Sequence, residues 1–365
     1  MREFVKRILN GGLRLLSLIF LVGMSISSYT DLISPDTFVL PAFMGIAFPL
    51  FFFPSVCITA YWAWRRSKFF FVCLGFIILS WGSIHKYCPL NLFNDLDRGK
   101  KHLKVMTYNT CGMGVYGKED TSDEILDFVA AENADVVCFQ EFRDTDSSRK
   151  LTLKKIRSKL SAYKYFSYSP SQFSKKTGLA IFSKYPIVSK RNIFFNDSRY
   201  NHACLFEVRL ENGMCVNVLN CHLRSNQLSS EDRALYKGAI DGMDLDKIKQ
   251  LKGGVFSKLA QAFRNRSNQV DTINALTSRL KDPLIICGDF NDTPTSYCYR
   301  QMKGDLQDAF VNKGMGLGIT YHSNYFWFRI DQIFHSDDFS TAKVKVHKVK
   351  YSDHYPLTAT LNINI

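Results

Sequence analysis

The sequence predicts a layered α/β sandwich preceded by an apolar, all-helical segment long enough to cross a membrane. Three observations carry that expectation. The first ninety residues hold three long, nearly uncharged stretches; the rest of the chain is a succession of short strand-like runs with few helical patterns; and polar clusters recur where those runs end.

The apolar stretches are Leu13 to Tyr29, Phe38 to Trp64 and Phe69 to Ile84. A bilayer core takes about 20 apolar residues per helix, so the second is long enough and the other two are marginal. Three spans are expected, with two as the alternative. A cleaved signal peptide is disfavoured, because no small-residue cleavage site leads into soluble sequence and further apolar stretches follow. Arg2, Lys6, Arg7 and Arg14 mark one cytoplasmic segment, and Arg65, Arg66 and Lys68 another, while the intervening loop carries only Asp31 and Asp36. Three spans therefore place the remainder of the chain outside the cytoplasm; two would keep it inside. Pro35 and Pro41 suit helix starts, whereas Pro49 and Pro54 are expected to kink a membrane helix. The expected division is an anchor over 1–90, a polar linker over 91–101 and one soluble domain over 102–365.

In that domain the first strand reads Leu103 to Asn109, with apolar and polar residues alternating. Thr121 or Ser122 can cap a helix through Asn133, and Val136 to Glu141 is the next strand. Further strands are expected at Tyr163 to Tyr168, Leu179 to Phe182, Ala203 to Leu210, Cys215 to Leu223, Leu284 to Cys287, Ile330 to Phe334, Thr341 to Val349 and Leu357 to Ile363. Between Ser230 and Leu280, Val270, Ile273, Leu276 and Leu280 share one helical face. Many strands with a few helices define a layered α/β sandwich.

Composition narrows the chemistry. Of 47 Lys/Arg and 33 Asp/Glu, 8 and 5 fall in residues 1–97, leaving 39 and 28, a formal +11 for the rest. That charge suits a polyanionic partner such as nucleic acid or an anionic lipid surface. The 10 cysteines include no CxxC pair and match no zinc-ligand spacing. Cys57 and Cys73 lie in apolar segments, and Cys138, Cys215, Cys221 and Cys287 in strand-like runs, where cysteine behaves as a small buried apolar residue.

Polar clusters mark the strand ends: Asn109, Gln140-Glu141, Asn220-Cys221-His222, Asp289 with Asn291, and Asp353-His354, with Asp331 inside the strand preceding the last. Strand ends are where a rigid scaffold presents chemical groups to a cleft. Singly, each cluster reads as a turn or a solvated edge. Together they supply carboxylates, amides and imidazoles suited to one phosphate.

The series TYNT, QE, NCHL, GDFN, RIDQIF and SDHYPL resembles the endonuclease/exonuclease/phosphatase superfamily over about residues 102–365. The resemblance implies a four-layered α/β sandwich of deoxyribonuclease I type, a divalent metal, usually magnesium with manganese as a substitute, and phosphoester hydrolysis by activated water. It implies Glu141 as principal metal ligand with Asn109 and Asp353 nearby. Asp289 would orient or deprotonate the water, and Asn291 would hold that water or a phosphate oxygen. Asp331 would pair with His354 against the phosphate, and His222 would make a second phosphate contact. Two features depart from the pattern. Gln332 stands where the family often has an aromatic residue, which would alter packing beside the Asp331–His354 pair. An insertion containing Leu251 to Gly254 brings a basic run, Lys252, Lys258, Arg264 and Arg266, that reads as a phosphate or headgroup contact or as a solvated helix face. Three functions follow: a nuclease-type phosphodiesterase, the same chemistry on a membrane lipid or phosphomonoester, and an inactive binding module.

Overall fold

The structure, a computed structural model, describes residues 2–91, 101–116, 119–145, 151–198, 200–226, 245–323 and 327–364. Two six-stranded sheets form its centre. The first runs β11(Phe339–Val346), β12(Leu357–Ile363), β1(His102–Asn109), β2(Val136–Arg143), β4(Thr177–Ser183) and β3(Tyr165–Pro170). The second runs β5(Ile187–Phe194), β6(His202–Arg209), β7(Cys215–His222), β8(Leu284–Asp289), β10(Asp331–His335) and β9(Gln307–Asp308).

The sheets face each other through alternate residues. Leu103 and Val105 of β1, Val136 and Cys138 of β2, Val216 and Val218 of β7, Ile285 and Cys287 of β8 and Ile333 of β10 fill one shared core. Residues of opposite parity point outward. Met106, Val137 and Phe139 pack under α6(Ser122–Glu132) and α7(Leu153–Lys159). Leu219, Ile286 and Phe334 pack under the long α8(Leu245–Thr277) and α9(Tyr297–Lys303). Helix, sheet, sheet and helix make the four layers expected, and burial on both faces explains why the central strands read as nearly continuous apolar runs.

Most strand expectations fall within a few residues of the observed spans. The sequence pattern misses β5, whose residues are mostly exposed and include Lys190 and Arg191, as suits an edge strand, and β9, which is too short for any period. It also misses α7, α9 and α10(Ala309–Lys313), each too short to show helical periodicity. Of the expected helical stretch from Ser230, residues 230–244 lie outside the described residues, as do 92–100 of the linker.

The N-terminal segment is helical: α1(Arg2–Ser28), α2(Leu40–Ile46), α3(Phe48–Trp64), α4(Phe69–Leu79) and α5(Trp81–Tyr87). Ile8–Leu32 is long and apolar enough to cross a membrane; α2 with α3 and α4 with α5 reach that length only as pairs bent by 52° and 64°. The first bend falls at Ala47, before Pro49, which occupies the first turn of α3, and Pro54 lies inside α3. Pro41 starts α2 as expected, whereas Pro35 lies in a turn. Trp62 Nε1 donates to Ser17 Oγ at 3.0 Å, while Ser83 Oγ donates to Ser28 O at 2.7 Å. Hence α3 runs against α1 and α4–α5 runs with it. Arg14, whose guanidinium lies 5.8 Å from the Trp62 and Phe69 rings, marks one end of the bundle; Asp31, bonded to Lys86 Nζ at 2.7 Å, marks the other.

Candidate active site

Strand register sets the site. On the inner face of β1 the order is Val105, Thr107, Asn109; on β7, Val218, Asn220, His222; on β8, Ile285, Cys287, Asp289. Each inner row turns polar as its strand ends. Parallel pairing of β7 with β8 sets His222 beside Asp289, and antiparallel pairing of β8 with β10 sets Asp289 beside Asp331. In the other sheet Asn109 lies beside Gln140. All five strands open at the same end of the sandwich.

Glu141 enters by a different device. Between Phe139 and Phe142 the β2–β4 register slips by one residue, and Glu141 takes φ 50°. Such a bulge re-aims a side chain that would otherwise follow the strand's alternation, at the cost of a left-handed backbone. Its carboxylate is 35 % exposed and lines a cleft of about 280 Å³ with Tyr116, Thr177, Tyr200, His202 and His222.

Asn109 joins the two sheets, donating from Nδ2 to Asp289 Oδ2 at 3.0 Å and to Glu141 Oε1 at 3.4 Å. Asp289 is fixed on its other oxygen by the backbone N–H of Asn291 at 2.8 Å. Asn291, at φ 53°, gives its side-chain amide to Leu223 O at 3.1 Å. His354 Nδ1 donates to Asp331 Oδ2 at 2.9 Å, and its Nε2 lies 3.7 Å from Asp289 Oδ2. His222 Nε2 stands 3.7 Å from both Glu141 Oε1 and Asp289 Oδ2. Asp353 adjoins Ser352, whose hydroxyl donates to Asn109 O at 2.8 Å and approaches Asp353 Oδ1 at 3.2 Å. Every residue expected at the site therefore gathers at one strand-end cluster.

Charge distribution separates their states. Burial alone would lower the His354 imidazole, but Asp331 and Asp289 override it and hold its pKa well above the usual histidine value. Burial depresses His222, which is held neutral. Burial raises the Asp289 carboxyl, with Asp331 adding to the effect and His354 restraining it. Enclosure in the cleft first, and then the Asp353 and Asp289 carboxylates, push Glu141 up to about 7. Ligand-type atoms of Asp289, Asp331 and His354 lie within 4.8 Å of one another. That trio is satisfied by its own proton, since an imidazolium donates from both nitrogens and has no lone pair for a metal.

Support for the site was only partly visible in the pattern. Gln140 Nε2 donates to Asn220 Oδ1 at 2.7 Å, and Asn220 Nδ2 donates to Phe139 O at 3.0 Å and Ala180 O at 3.2 Å, a buried bracket between the sheets. Both lie in the polar clusters, but nothing in sequence pairs them. Gly288, at φ 137°, lets β8 approach β7 so closely that a Cβ would meet Cys221 O at 2.0 Å. Thr320 Oγ1 accepts from the N–H of Ile330 and Asp331, each at 3.1 Å, and the Tyr321 ring lies edge-on to His354 at 5.0 Å; no sequence signal marked either.

Two expectations are corrected. Gln332 does not pack beside the Asp331–His354 pair. Alternation points it to the opposite face, where its Oε1 accepts from Arg329 Nη1 at 2.9 Å. Arg266 does not belong to a solvated basic run. Its side chain is 1 % exposed, and it donates to Asp292 Oδ2 at 3.0 Å, Arg224 O at 2.7 Å and Asn226 Oδ1 at 2.9 Å, tying α8 to the loop after Asn291. The Lys252 side chain lies outside the described residues.

Residues 106–354 match the Endonuclease/Exonuclease/phosphatase family, and the chain belongs to it. Residues 7–87 match a domain family of unknown function, DUF8431. No curated protein matches the chain. Among solved structures, an endonuclease/exonuclease/phosphatase from Beutenbergia cavernae superposes with TM-score 0.53 at 17% identity, covering 72% of each chain. ANGEL2, a 2',3'-cyclic phosphatase in complex with adenosine-2',3'-vanadate, gives TM-score 0.51 at 16% identity, over 73% of this chain and 97% of that one. A humanized D. rerio TDP2 gives 0.50 at 13% identity, over 72% and 99%. At these identities the likeness is one of fold. The family's members are phosphoesterases, and this chain carries the phosphoesterase fold.

Proposed function

We propose that this protein is a membrane-anchored, divalent-metal-dependent phosphodiesterase of nuclease type that uses activated water. The single observation carrying the reading is the meeting of Glu141, Asn109, Asp289 and His222 with the Asp331–His354 pair at one strand-end cluster. A cation fits it. Burial first, and then the Asp353 and Asp289 carboxylates, hold the Glu141 pKa up, and a bound cation would offset both. The carboxylate oxygens of Glu141 and Asp353, with Asn109 beside them and cleft room for water, suit magnesium or manganese over zinc. When bound, the ion would polarise a phosphoryl oxygen and neutralise charge growing there.

The remaining residues have roles of their own. Asp289, lifted by burial, accepts the proton of an attacking water that Asn291 helps to hold. His354, kept cationic by Asp331, turns Nε2–H towards the phosphate, and neutral His222 adds a second donor. Fixed donors aimed at developing charge are the main source of such catalysis. No covalent intermediate is needed.

The anchor and its direction rest on surface character and charge. Leu9, Leu50 and Phe71 are 68 %, 69 % and 69 % exposed, an apolar surface that lipid would cover. The basic ends, with Arg14 and residues 65–68, lie away from the catalytic domain, which supports three spans and a domain outside the cytoplasm. The formal +11 after residue 97 favours a polyanionic nucleic acid.

The test is hydrolysis by the full-length protein in detergent of DNA, RNA, sphingomyelin, phosphoinositides and simple phosphodiesters with magnesium, manganese or calcium. Cleavage of nucleic acid that weakens steeply with salt is expected. Preference for a lipid, insensitive to salt, would move the assignment to headgroup hydrolysis, and inertness towards every phosphodiester would sink it. Protease added to intact cells should digest the domain; digestion only after lysis would refute the outward orientation.

A further inference from the structure

We propose that the N-terminal helical segment buttresses the active site as well as anchoring it, with Arg329 and Thr295 as positioning residues that transmit its grip. The inference rests on the catalytic reading above. Two latches carry it, and they hold the two segments that bear Asp331 and Asp289.

The first latch is buried. Arg329 has a side chain 1 % exposed and lies two residues before Asp331. Its Nη2 donates to Lys86 O, at the C-terminal end of α5, at 2.6 Å. Its Nη1 donates to Asp308 Oδ2 and to Gln332 Oε1, each at 2.9 Å, and the Phe310 ring lies 4.7 Å from the guanidinium. Asp308 is itself held by Tyr299 Oη at 2.6 Å and by the Phe310 N–H at 2.7 Å. A buried guanidinium depends on the few acceptors it has, and one of those for Arg329 is the last turn of α5. Gln332, the departure from the family pattern, is part of this network. A single antiparallel bridge continues the contact: Leu90 pairs with Met315, the Gly316 N–H donates to Pro89 O at 2.8 Å, and Asn91 Nδ2 donates to Val311 O and Gly314 O, each at 2.8 Å.

The second latch grips the loop after Asp289 and Asn291. Thr295 Oγ1 donates to Gly45 O at 2.9 Å, and Thr295 O accepts from Thr30 Oγ1 at 3.4 Å. A Cβ at Gly45 would stand 2.8 Å from Thr30 Oγ1 and 3.1 Å from Thr295 O, so the helix and loop are in close contact. Ser34 Oγ meets Ser267 Oγ at 2.8 Å, beside Arg266, which holds Asp292. The segment thus braces β10 at Asp331 and the 289–296 loop independently.

A brace of this kind acts on geometry, so it shows in turnover more than in substrate binding. The experiment uses full-length protein in detergent with bis(4-nitrophenyl) phosphate and magnesium. Thr295→Val, which removes only the hydroxyl, and Arg329→Lys, which loses the fork, should lower kcat on the order of tenfold with KM within about twofold. Thr295→Ser, which keeps the donor, should restore kcat. Unchanged kcat in folded Thr295→Val and Arg329→Lys overturns the proposal; if Arg329→Lys fails to fold, the Thr295 pair decides alone. His354→Ala is the control. If it retains turnover the catalytic reading falls, whereas a dead His354→Ala beside fully active latch variants refutes the buttress only.

Discussion

Asp331→Asn isolates the pair at the centre of the site. The substitution keeps shape and leaves a neutral acceptor for His354 Nδ1, but removes the carboxylate 2.9 Å away. Unit charges in contact at an effective dielectric of about 20 are worth about 4 kcal/mol, equivalent to a rate factor of up to about a thousand if all of it serves the reaction. The surviving neutral hydrogen bond and Asp289 return part of it, so kcat should fall on the order of a hundredfold or more. The same loss appears in stability. The folded pKa of His354 is raised, so its contribution is fully present below the unfolded histidine value and is lost as pH rises through the folded one. Wild type should therefore exceed Asp331→Asn in melting temperature by more at pH 5.5 than at alkaline pH, measured without added metal. An equal gap at both pH values, or near-normal kcat, would refute the assignment of a cationic His354.

Glu141→Gln should abolish metal-dependent turnover yet stabilise the metal-free protein at pH 8. A carboxyl raised to about 7 binds a proton that its unfolded form, near 4.5, has released, so stability falls as pH rises across that window; the gain in the variant is of the order of 1 kcal/mol after allowing for partial exposure, read by thermal melts in chelator. Gly288→Ala places a Cβ against Cys221 O at a backbone angle that side chains resist, costing about 2–6 kcal/mol by denaturant titration and displacing His222 from Asp289. Asn220→Leu removes the amide that accepts from Gln140 Nε2 and donates to the Phe139 and Ala180 carbonyls, and should cost about 2–4 kcal/mol by the same assay.

How much of this was legible in sequence depends on whether a feature is periodic. The polar ends of β1, β7 and β8 follow from alternation, because Asn109, His222 and Asp289 share parity with Val105, Val218 and Ile285 on their own strands. Glu141 breaks that rule through its bulge; the strand-end pair Gln140-Glu141 marks it in the sequence, and motif resemblance supplies its role. Gln332 adjoins Asp331 in sequence, but strand alternation turns it to the opposite face, where it meets Arg329. Arg266 looked like one charge in a helix-face series, yet its buried partners lie at 224, 226 and 292, separations that no local pattern encodes. The grip of the N-terminal segment was invisible for the same reason, since its hydrogen bonds join residues more than two hundred positions apart.

The central claim is a metal-assisted phosphodiester centre built from Glu141 and the Asp331–His354 pair. Cleavage of a labelled DNA oligonucleotide by full-length protein, with magnesium and then with excess chelator, tests it directly when repeated with Glu141→Ala and His354→Ala. The account predicts cleavage by wild type that stops in chelator and is absent from both folded variants. Cleavage that survives chelation, or that either variant retains at the wild-type rate, would contradict it.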